Sequence, residues 1–213
     1  MCIRDSTSAL GDYSFTTGSG TIASGIGSVA MGENNIAENY SVTFGRNNFA
    51  GGDNLDEPFK SVVSGFLINN GLPSLDNYSG YSYAFGLHCS ASKTFTFAGG
   101  LGSQATGIGS LAMGLGSKAI GDGSVALGYI SNASGNSSVA MGNNTNAAGY
   151  SSVAMGYQTI ASGKQSVAMG YQNNAIGDYS VAMGINTSAL GNYLVVQSGG
   201  VGIGTLPTTN AVL

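Results

Sequence analysis

The chain has 213 residues, with 36 glycines, three prolines, no tryptophan and only 8% charged residues, whereas average globular domains carry about 25% charged residues. The net charge of −4 is scattered along the chain, so no basic stripe favours a nucleic-acid partner. Glycine, serine and asparagine interrupt every apolar run, so no membrane contact is expected of this segment. The composition therefore predicts a thin, tightly packed β structure built from repeats.

The chain begins with a segment that we exclude from fold reasoning. Residues 1–6 resemble the translation of a sequencing adapter, and we predict that they are a non-native scar. Residues 7–192 are predicted to form a single β-roll domain. The two cysteines, Cys2 and Cys89, have neither the number nor the spacing of a disulfide framework or a metal site.

A 14-residue repeat dominates this domain. An early copy is Ser28-Val29-Ala30-Met31-Gly32, and the same pattern later begins at Ser110, Ser124, Ser138, Ser152, Ser166 and Ser180. Each copy is followed by Ala-x-Gly, as in Ala147-Ala148-Gly149, with turn-type residues between the two halves. The unit therefore predicts strand, turn, short strand and turn, which is one coil of a parallel β solenoid.

Alternation along the first strand predicts which side chains face inward, because successive strand residues point to opposite faces. Ser138, Ala140 and Gly142 share one face, and Val139 and Met141 share the other. The small residues must line the interior of a flat coil, so the large apolar residues point outward and predict self-association. The predicted interface comprises Val29, Met31, Val125, Val139, Met141, Val153, Met155, Val167, Met169, Val181 and Met183.

The period fails between Ser41 and Ser82, where we predict irregular insertions at about 53–60 and 66–81. Insertions in solenoids leave the stack as loops and often form binding faces, although neutral drift explains them equally well. The candidate ligand-contact residues are Asp53, Asp56, Glu57, Phe59, Asp76, Tyr78 and Tyr81. Asp53, Asp56 and Glu57 could hold a calcium ion, but we interpret them as a solvated charge cluster. Residues 193–213 are predicted to form a connector to a following module.

No catalytic, cofactor or metal site is predicted. Gly-x-Gly-x-x-Ala occurs at Gly25, Gly107, Gly114 and Gly121, but no helical periodicity follows, as a dinucleotide fingerprint would require. Calcium-binding rolls need an aspartate in every repeat, and Asp122 and Asp178 are isolated. His88 and Cys89 are adjacent and should point to opposite faces, which disfavours a nucleophile pair. We therefore do not expect an enzyme.

The unit Ser-Val-Ala-Met-Gly followed by Ala-x-Gly resembles the YadA-like head repeats of trimeric autotransporter adhesins, over about residues 9–192 and closely over 96–192. This resemblance implies a left-handed parallel β-roll and a side-by-side homotrimer whose core contains the Val and Met columns. It also implies adhesion to an extracellular protein or glycan from the bacterial cell surface, with outer-membrane anchoring through another segment.

Two other classes remain as alternatives. The stretch Gly199-Gly200-Val201-Gly202-Ile203-Gly204-Thr205 resembles a sequence found near the C-terminal chaperone modules of phage tail fibres. The runner-up is therefore a tail-fibre shaft or receptor-binding segment on a virion tail. An ice-binding solenoid would need a regular threonine array, and Thr145, Thr159 and Thr187 are too few and too irregular.

Overall fold

The computed structural model describes residues 2–3, 6–50, 62–66, 69–70, 82–192 and 194–197. All regular secondary structure among these residues is β-strand. Long strands, mostly of five residues, alternate with short strands of two residues. The chain divides into two compact units, Met1–Gly116 and Ser117–Leu213. We call them unit 1 and unit 2, and each is a stack of coils.

In unit 1, long and short strands alternate along the chain, beginning with a long strand. Its long strands are β1 (Cys2–Ile3), β3 (Phe15–Ser19), β5 (Val29–Glu33), β7 (Val42–Arg46), β9 (Val62–Phe66), β11 (Tyr83–Leu87), β13 (Phe97–Leu101) and β15 (Leu111–Leu115). Its short strands are β2 (Ser8–Ala9), β4 (Ile22–Ala23), β6 (Ile36–Ala37), β8 (Phe49–Ala50), β10 (Asn69–Asn70), β12 (Ser90–Ala91) and β14 (Gln104–Ala105).

Unit 2 begins with a short strand and continues the alternation. Its short strands are β16 (Lys118–Ala119), β18 (Asn132–Ala133), β20 (Asn146–Ala147), β22 (Ile160–Ala161), β24 (Asn174–Ala175) and β26 (Ser188–Ala189). Its long strands are β17 (Val125–Tyr129), β19 (Val139–Asn143), β21 (Val153–Tyr157), β23 (Val167–Tyr171), β25 (Val181–Ile185) and β27 (Leu194–Gln197).

Within each unit, long strands pair only with long strands and short strands only with short strands, always in parallel. Val139 pairs with Val153, and Ala147 pairs with Ala161, so equivalent residues of successive coils lie directly above one another. Each coil thus satisfies its strand hydrogen bonds through its neighbours rather than internally. The predicted all-β parallel solenoid of 14-residue coils is confirmed.

The interior of each unit is lined by small side chains, as alternation predicted. Ser138, Ala140 and Ala147 are all 0% exposed, and the equivalent alanines of the other coils are similarly buried except Ala9 in the first short strand, which is half-buried. The parity prediction is wrong at Gly142, which is only half-buried. Its φ of +133° ends the regular alternation. A Cβ there would meet the carbonyl oxygen of Gly156 on the next coil, so this close backbone approach requires glycine.

Most of the described turns contain one residue with positive φ whose N–H donates to a carbonyl oxygen of the preceding coil. In one coil of unit 2 these residues are Asn144 in the first turn and Ser151 in the second, with φ values of +55° and +51°. The Asn144 N–H donates to Tyr129 O at 2.8 Å, and the Ser151 N–H donates to Asn136 O at 2.9 Å. The turns therefore add backbone hydrogen bonds between coils to those of the two sheets.

A column of buried side chains, polar in most of the described coils, follows the first turn. Serine or threonine fills this position in most coils, and asparagine fills it at Asn173. The Asn173 amide donates to Met169 O at 2.5 Å and Gly184 O at 2.7 Å, and its Oδ1 accepts from the Thr187 N–H at 2.8 Å. In unit 1, Asn35 binds its surroundings in the same way. The interior tolerates these amides because their polar atoms are satisfied.

The two long period breaks predicted in unit 1 fall between β8 and β9 and between β10 and β11. Strand β9 pairs directly with β7 and β11, so the additional residues lie after β8 and after β10. Phe66 and Asn69–Asn70, which fall inside the predicted insertion 66–81, belong to paired strands. The extra residues there consequently follow Asn70. At the N-terminus, Cys2–Ile3 pairs with Thr16–Thr17, and the assignment of 1–6 as a scar stays a prediction.

Candidate self-association face

The outward side chains of the long strands form two ladders in unit 2. These side chains belong to the first and third residues of each long strand, and we call the surface that they make the long-strand face. Strand register places each residue directly above its equivalent. The ladders consist of Val125, Val139, Val153, Val167 and Val181, and of Leu127, Met141, Met155, Met169 and Met183. Each of these side chains is half-buried, because its neighbours cover two flanks and leave the outer side open.

All of the predicted interface residues lie on this face. Val29 and Met31 occupy the first and third positions of β5 in unit 1, and the others occupy the same positions in unit 2. All are half-buried in the isolated chain, like their neighbours on the ladders. Their contact with another chain stays a prediction.

The long-strand face carries no charged side chain among the described residues. Charges on the long strands lie further along, at the fifth position of β5 and β7, where Arg46 Nε is 3.2 Å from Glu33 Oε2 in an exposed ion pair. An uncharged apolar face can meet a copy of itself without bringing like charges together.

Comparison with known proteins identifies the repeat. The model of the YadA head domain repeat, in two copies, matches residues 23–43 and then a series of overlapping segments whose starts lie 14 residues apart. These segments are 91–117, 105–131, 119–145, 133–159, 147–173, 161–187 and 175–193. The chain belongs to this family. YadA head repeats indicate a surface-exposed, adhesin-like protein. A comparison with the curated proteins finds no match.

Around the gap between the matched segments 23–43 and 91–117, the long-strand face of this YadA-type head contains several aromatic residues. The Phe85 ring packs edge-on against Phe97, with ring centroids 4.9 Å apart at 77°. Phe85 also lies over Gly99, where an added Cβ would be 2.8 Å from the ring. Two coils earlier, Phe44 is exposed and pairs with Ser64 on the next coil. On this part of the face, large residues therefore alternate with small ones. In the regular coils of unit 2, by contrast, equivalent residues are similar in size.

The fifth position of the long strands forms a further column, which sequence reasoning missed. In unit 2 it contains Tyr129, Tyr157 and Tyr171, and the last two rings stack with centroids 4.9 Å apart and an angle of 7°. Beside them, Gln172 Nε2 donates to Gln158 Oε1 at 2.8 Å on the surface. The available signal was the tyrosine that directly follows the motif glycine in these coils.

The outward face of the short strands differs between the units. In unit 2 it is mixed in polarity, and the Asn132 amide donates to Asn146 Oδ1 at 3.3 Å. In unit 1, Ile22, Ile36 and Phe49 pair in an apolar, half-buried ladder that sequence reasoning did not consider. The signal available in the sequence is the apolar residue that directly precedes the buried alanine in each of these coils.

The candidate ligand-contact residues lie outside the described residues. They are Asp53, Asp56, Glu57, Phe59, Asp76, Tyr78 and Tyr81. The stretch 199–205, which carries the tail-fibre resemblance, also lies outside them. Their proposed contacts therefore rest on sequence alone.

Cys89 and His88 lie on opposite sides of the coil wall. Cys89 is buried in the column that Ser103 and Ser117 fill in other coils, and its thiol donates to Gly100 O at 3.3 Å. Burial raises the pKa of this thiol, and backbone hydrogen bonds oppose that shift. His88 is exposed in the first turn, with φ +55°. The two side chains are therefore not directed toward one site.

Within the described ranges, His, Cys, Asp and Glu residues form no group of three or more that could hold a metal ion. The described part of the chain also contains no helix with the length and hydropathy needed to cross a membrane.

Proposed function

We propose that this chain is the adhesive head of a homotrimeric fibre at a bacterial surface, and that it acts by binding rather than by catalysis. The observation that carries the proposal is the long-strand face, which is uncharged, is formed by Val, Leu and Met side chains in unit 2, and is open on its outer side in a single chain. Membership of the YadA head family supports a surface-exposed adhesin.

Burial of the long-strand face would supply the free energy of assembly. Complete burial of a Val or Met side chain contributes about 1.5–3 kcal/mol. Side chains that are already half-buried in the single chain would gain the remaining part of this free energy when another chain covers them. Monomeric proteins rarely leave such continuous apolar surface exposed. Because the ladders run along the stack, identical chains can bury them by packing side by side about a parallel axis.

Light scattering tests the proposed trimer. The full chain should have three times the 21.2 kDa mass of one chain. Val153→Asp should shift the mass toward the monomer, because a carboxylate would be buried in the interface without a partner. Asn146→Asp, on the short-strand face, is the matched control and should leave the mass unchanged. A stable monomeric wild-type chain, or equal effects of the two substitutions, would contradict the proposal.

Adhesion requires a second measurement. Beads coated with the full chain should be retained under flow on cultured epithelial cells or on glass more strongly than beads coated with Val153→Asp, because the trimer presents three copies of every contact. The Asn146→Asp protein again serves as the control. Equal retention of wild-type, Val153→Asp and uncoated beads would refute an adhesive role on these surfaces. An unidentified extracellular protein or glycan remains the proposed receptor, with 53–60 and 71–81 as the proposed contact segments.

A further inference from the structure

The first turns of unit 2 form an edge that combines aromatic and amide side chains. We define the first-turn edge as the fifth residue of each long strand and the residue after it, from Tyr129–Ile130 to Ile185–Asn186. Strand register places the fifth residues directly above one another. All residues of this edge except Gln158 are exposed, and none is charged. The edge therefore suits an uncharged ligand.

The tyrosine column of this edge is interrupted at Asn143. On adjacent coils, the rings of Tyr157 and Tyr171 stack with centroids 4.9 Å apart. Tyr129 and Tyr157 are separated by the coil of Asn143, so they lie about 9.6 Å apart along the stack. Because asparagine is shorter than tyrosine, a recess one coil wide remains between the two tyrosine side chains. A ring in this recess would lie one coil from Tyr157, as Tyr171 does on its other side.

Carboxamide side chains lie beside the recess. The backbone N–H groups of Asn144, Gln158 and Gln172 each donate to a carbonyl oxygen of the preceding coil at 2.8 Å, which holds these residues in place. Gln172 Nε2 also donates to Gln158 Oε1 at 2.8 Å. A primary amide has two donor and two acceptor sites, so both side chains keep sites for a ligand.

The backbone conformation at Gln158 and Gln172 is unfavourable for these residues. Their φ values are +52° and +55°, in a region that disfavours L-residues by about 1–2 kcal/mol. In unit 1, the equivalent position is glycine at Gly20, Gly102 and Gly116, each with positive φ. Glutamine stands there in unit 2 despite the cost. A functional role for the side chains would account for it.

We propose that the recess between Tyr129 and Tyr157 binds a neutral pyranose residue with equatorial hydroxyls, such as β-glucose, at the end of a glycan chain. The inference rests on the proposed adhesive function and names a ligand class for it. Such a sugar has apolar C–H faces, which would pack on the two tyrosines. Its rim of hydroxyls both donates and accepts hydrogen bonds, as do the amides of Asn143, Asn144 and Gln158.

The chemistry of the edge distinguishes this ligand from others of similar shape. A uronic or sialic acid would bring a carboxylate to an edge that has no cationic side chain, so its desolvation would not be offset. The phosphates of a nucleotide would lack a cation in the same way. The aromatic side chain of a partner protein would fill the recess but would not pair with most of the amide groups. A neutral sugar matches both the rings and the amides.

Titration of the full chain with cellopentaose, a neutral chain of β-1,4-linked glucose, tests the site by ligand-observed NMR. The unaltered chain should bind. Asn143→Tyr should weaken binding by about tenfold or more, because a tyrosine at this level fills the recess. Ile185→Tyr is the matched control, since it adds a tyrosine to the same column beyond Tyr171 and leaves the recess open. Undiminished binding by Asn143→Tyr would overturn the proposal.

A second variant removes the aromatic contact and keeps the space. Tyr157→Asn should also weaken cellopentaose binding by about tenfold. The column already accommodates asparagine at Asn143, so this chain should fold. Pentagalacturonate, which carries a carboxylate on every residue, should bind the unaltered chain at least about tenfold more weakly than cellopentaose. Equal binding of the two oligosaccharides would contradict a site for neutral sugars.

Failure of the glycan site and failure of the adhesive function give different results. The titration uses free oligosaccharide and requires neither adhesion nor a trimer. Undetectable cellopentaose binding would overturn the site, and weaker bead retention of Asn143→Tyr in that case would indicate a protein side chain as the occupant. A lower oligomeric mass of Asn143→Tyr would also overturn it, because a second copy would then cover the edge. Intact cellopentaose binding without bead retention would support the site and refute the adhesive role alone.

Discussion

The coils around Phe85 and those around Met141 share an interior and differ on the outside. Ala84, Ala98, Ala140 and Ala154 are all buried equivalently, at 0–1% exposure. Outside, Phe85 and Gly99 alternate in size, whereas Met141 and Met155 repeat. The interior must accommodate a single flat cross-section, so every coil obeys the same constraint. The outer side chains are not held to that cross-section, so they can differ in size from coil to coil.

The largest expected effect tests the shared interior. Ala98→Leu and Ala140→Leu should each lower the free energy of unfolding by about 3 kcal/mol or more, because the flat interior has no space for three additional carbons. Urea unfolding followed by circular dichroism at one protein concentration measures this. Ala148→Leu, at an exposed position, is the control and should change stability by less than about 0.5 kcal/mol. A much smaller loss of stability in Ala98→Leu than in Ala140→Leu would show that the interiors of unit 1 and unit 2 differ.

A smaller effect is expected at the buried amides. Asn35→Ala in unit 1 and Asn173→Ala in unit 2 should each cost about 2 kcal/mol, because buried carbonyl oxygens lose their donors. Asn173→Thr should recover part of this loss, since threonine fills the column at Thr145 and Thr159. The same unfolding measurement applies. Losses under about 0.5 kcal/mol in both alanine variants would indicate that water replaces the amides.

The smallest effect is expected at an exposed turn residue whose backbone conformation is unfavourable for its side chain. Ile130 is an exposed, β-branched residue with φ +50°, a conformation that disfavours L-residues by about 1–2 kcal/mol. Ile130→Asn should therefore raise the free energy of unfolding by about 1 kcal/mol, because asparagine tolerates this region. The reverse change at the equivalent turn position, Asn144→Ile, should lower it similarly. If both changes are neutral, the turn relaxes without cost.

Sequence predicted the fold because its signals were periodic. The spacing of 14 identified the coil, and alternation placed Ala140 inside and Val139 outside. It did not predict that Gly142 leaves the inner face, because parity assumes extended backbone and this glycine has φ +133°. Nor did it place Asn173 inside, because asparagine after a strand also fits an exposed turn. Only the hydrogen bonds of Asn173 with adjacent coils distinguish the two positions.

By itself, the sequence determined the repeat, the small-residue interior and the apolar outer ladders, since each depends only on spacing and side-chain size. The tertiary structure decided which residues of different coils touch. The Phe85 ring over Gly99 and the stacked rings of Tyr157 and Tyr171 depend on the register of neighbouring strands and on side-chain rotamers. The 14-residue pattern specifies the register of the regular coils, but no one-dimensional pattern specifies the direction in which a ring leans.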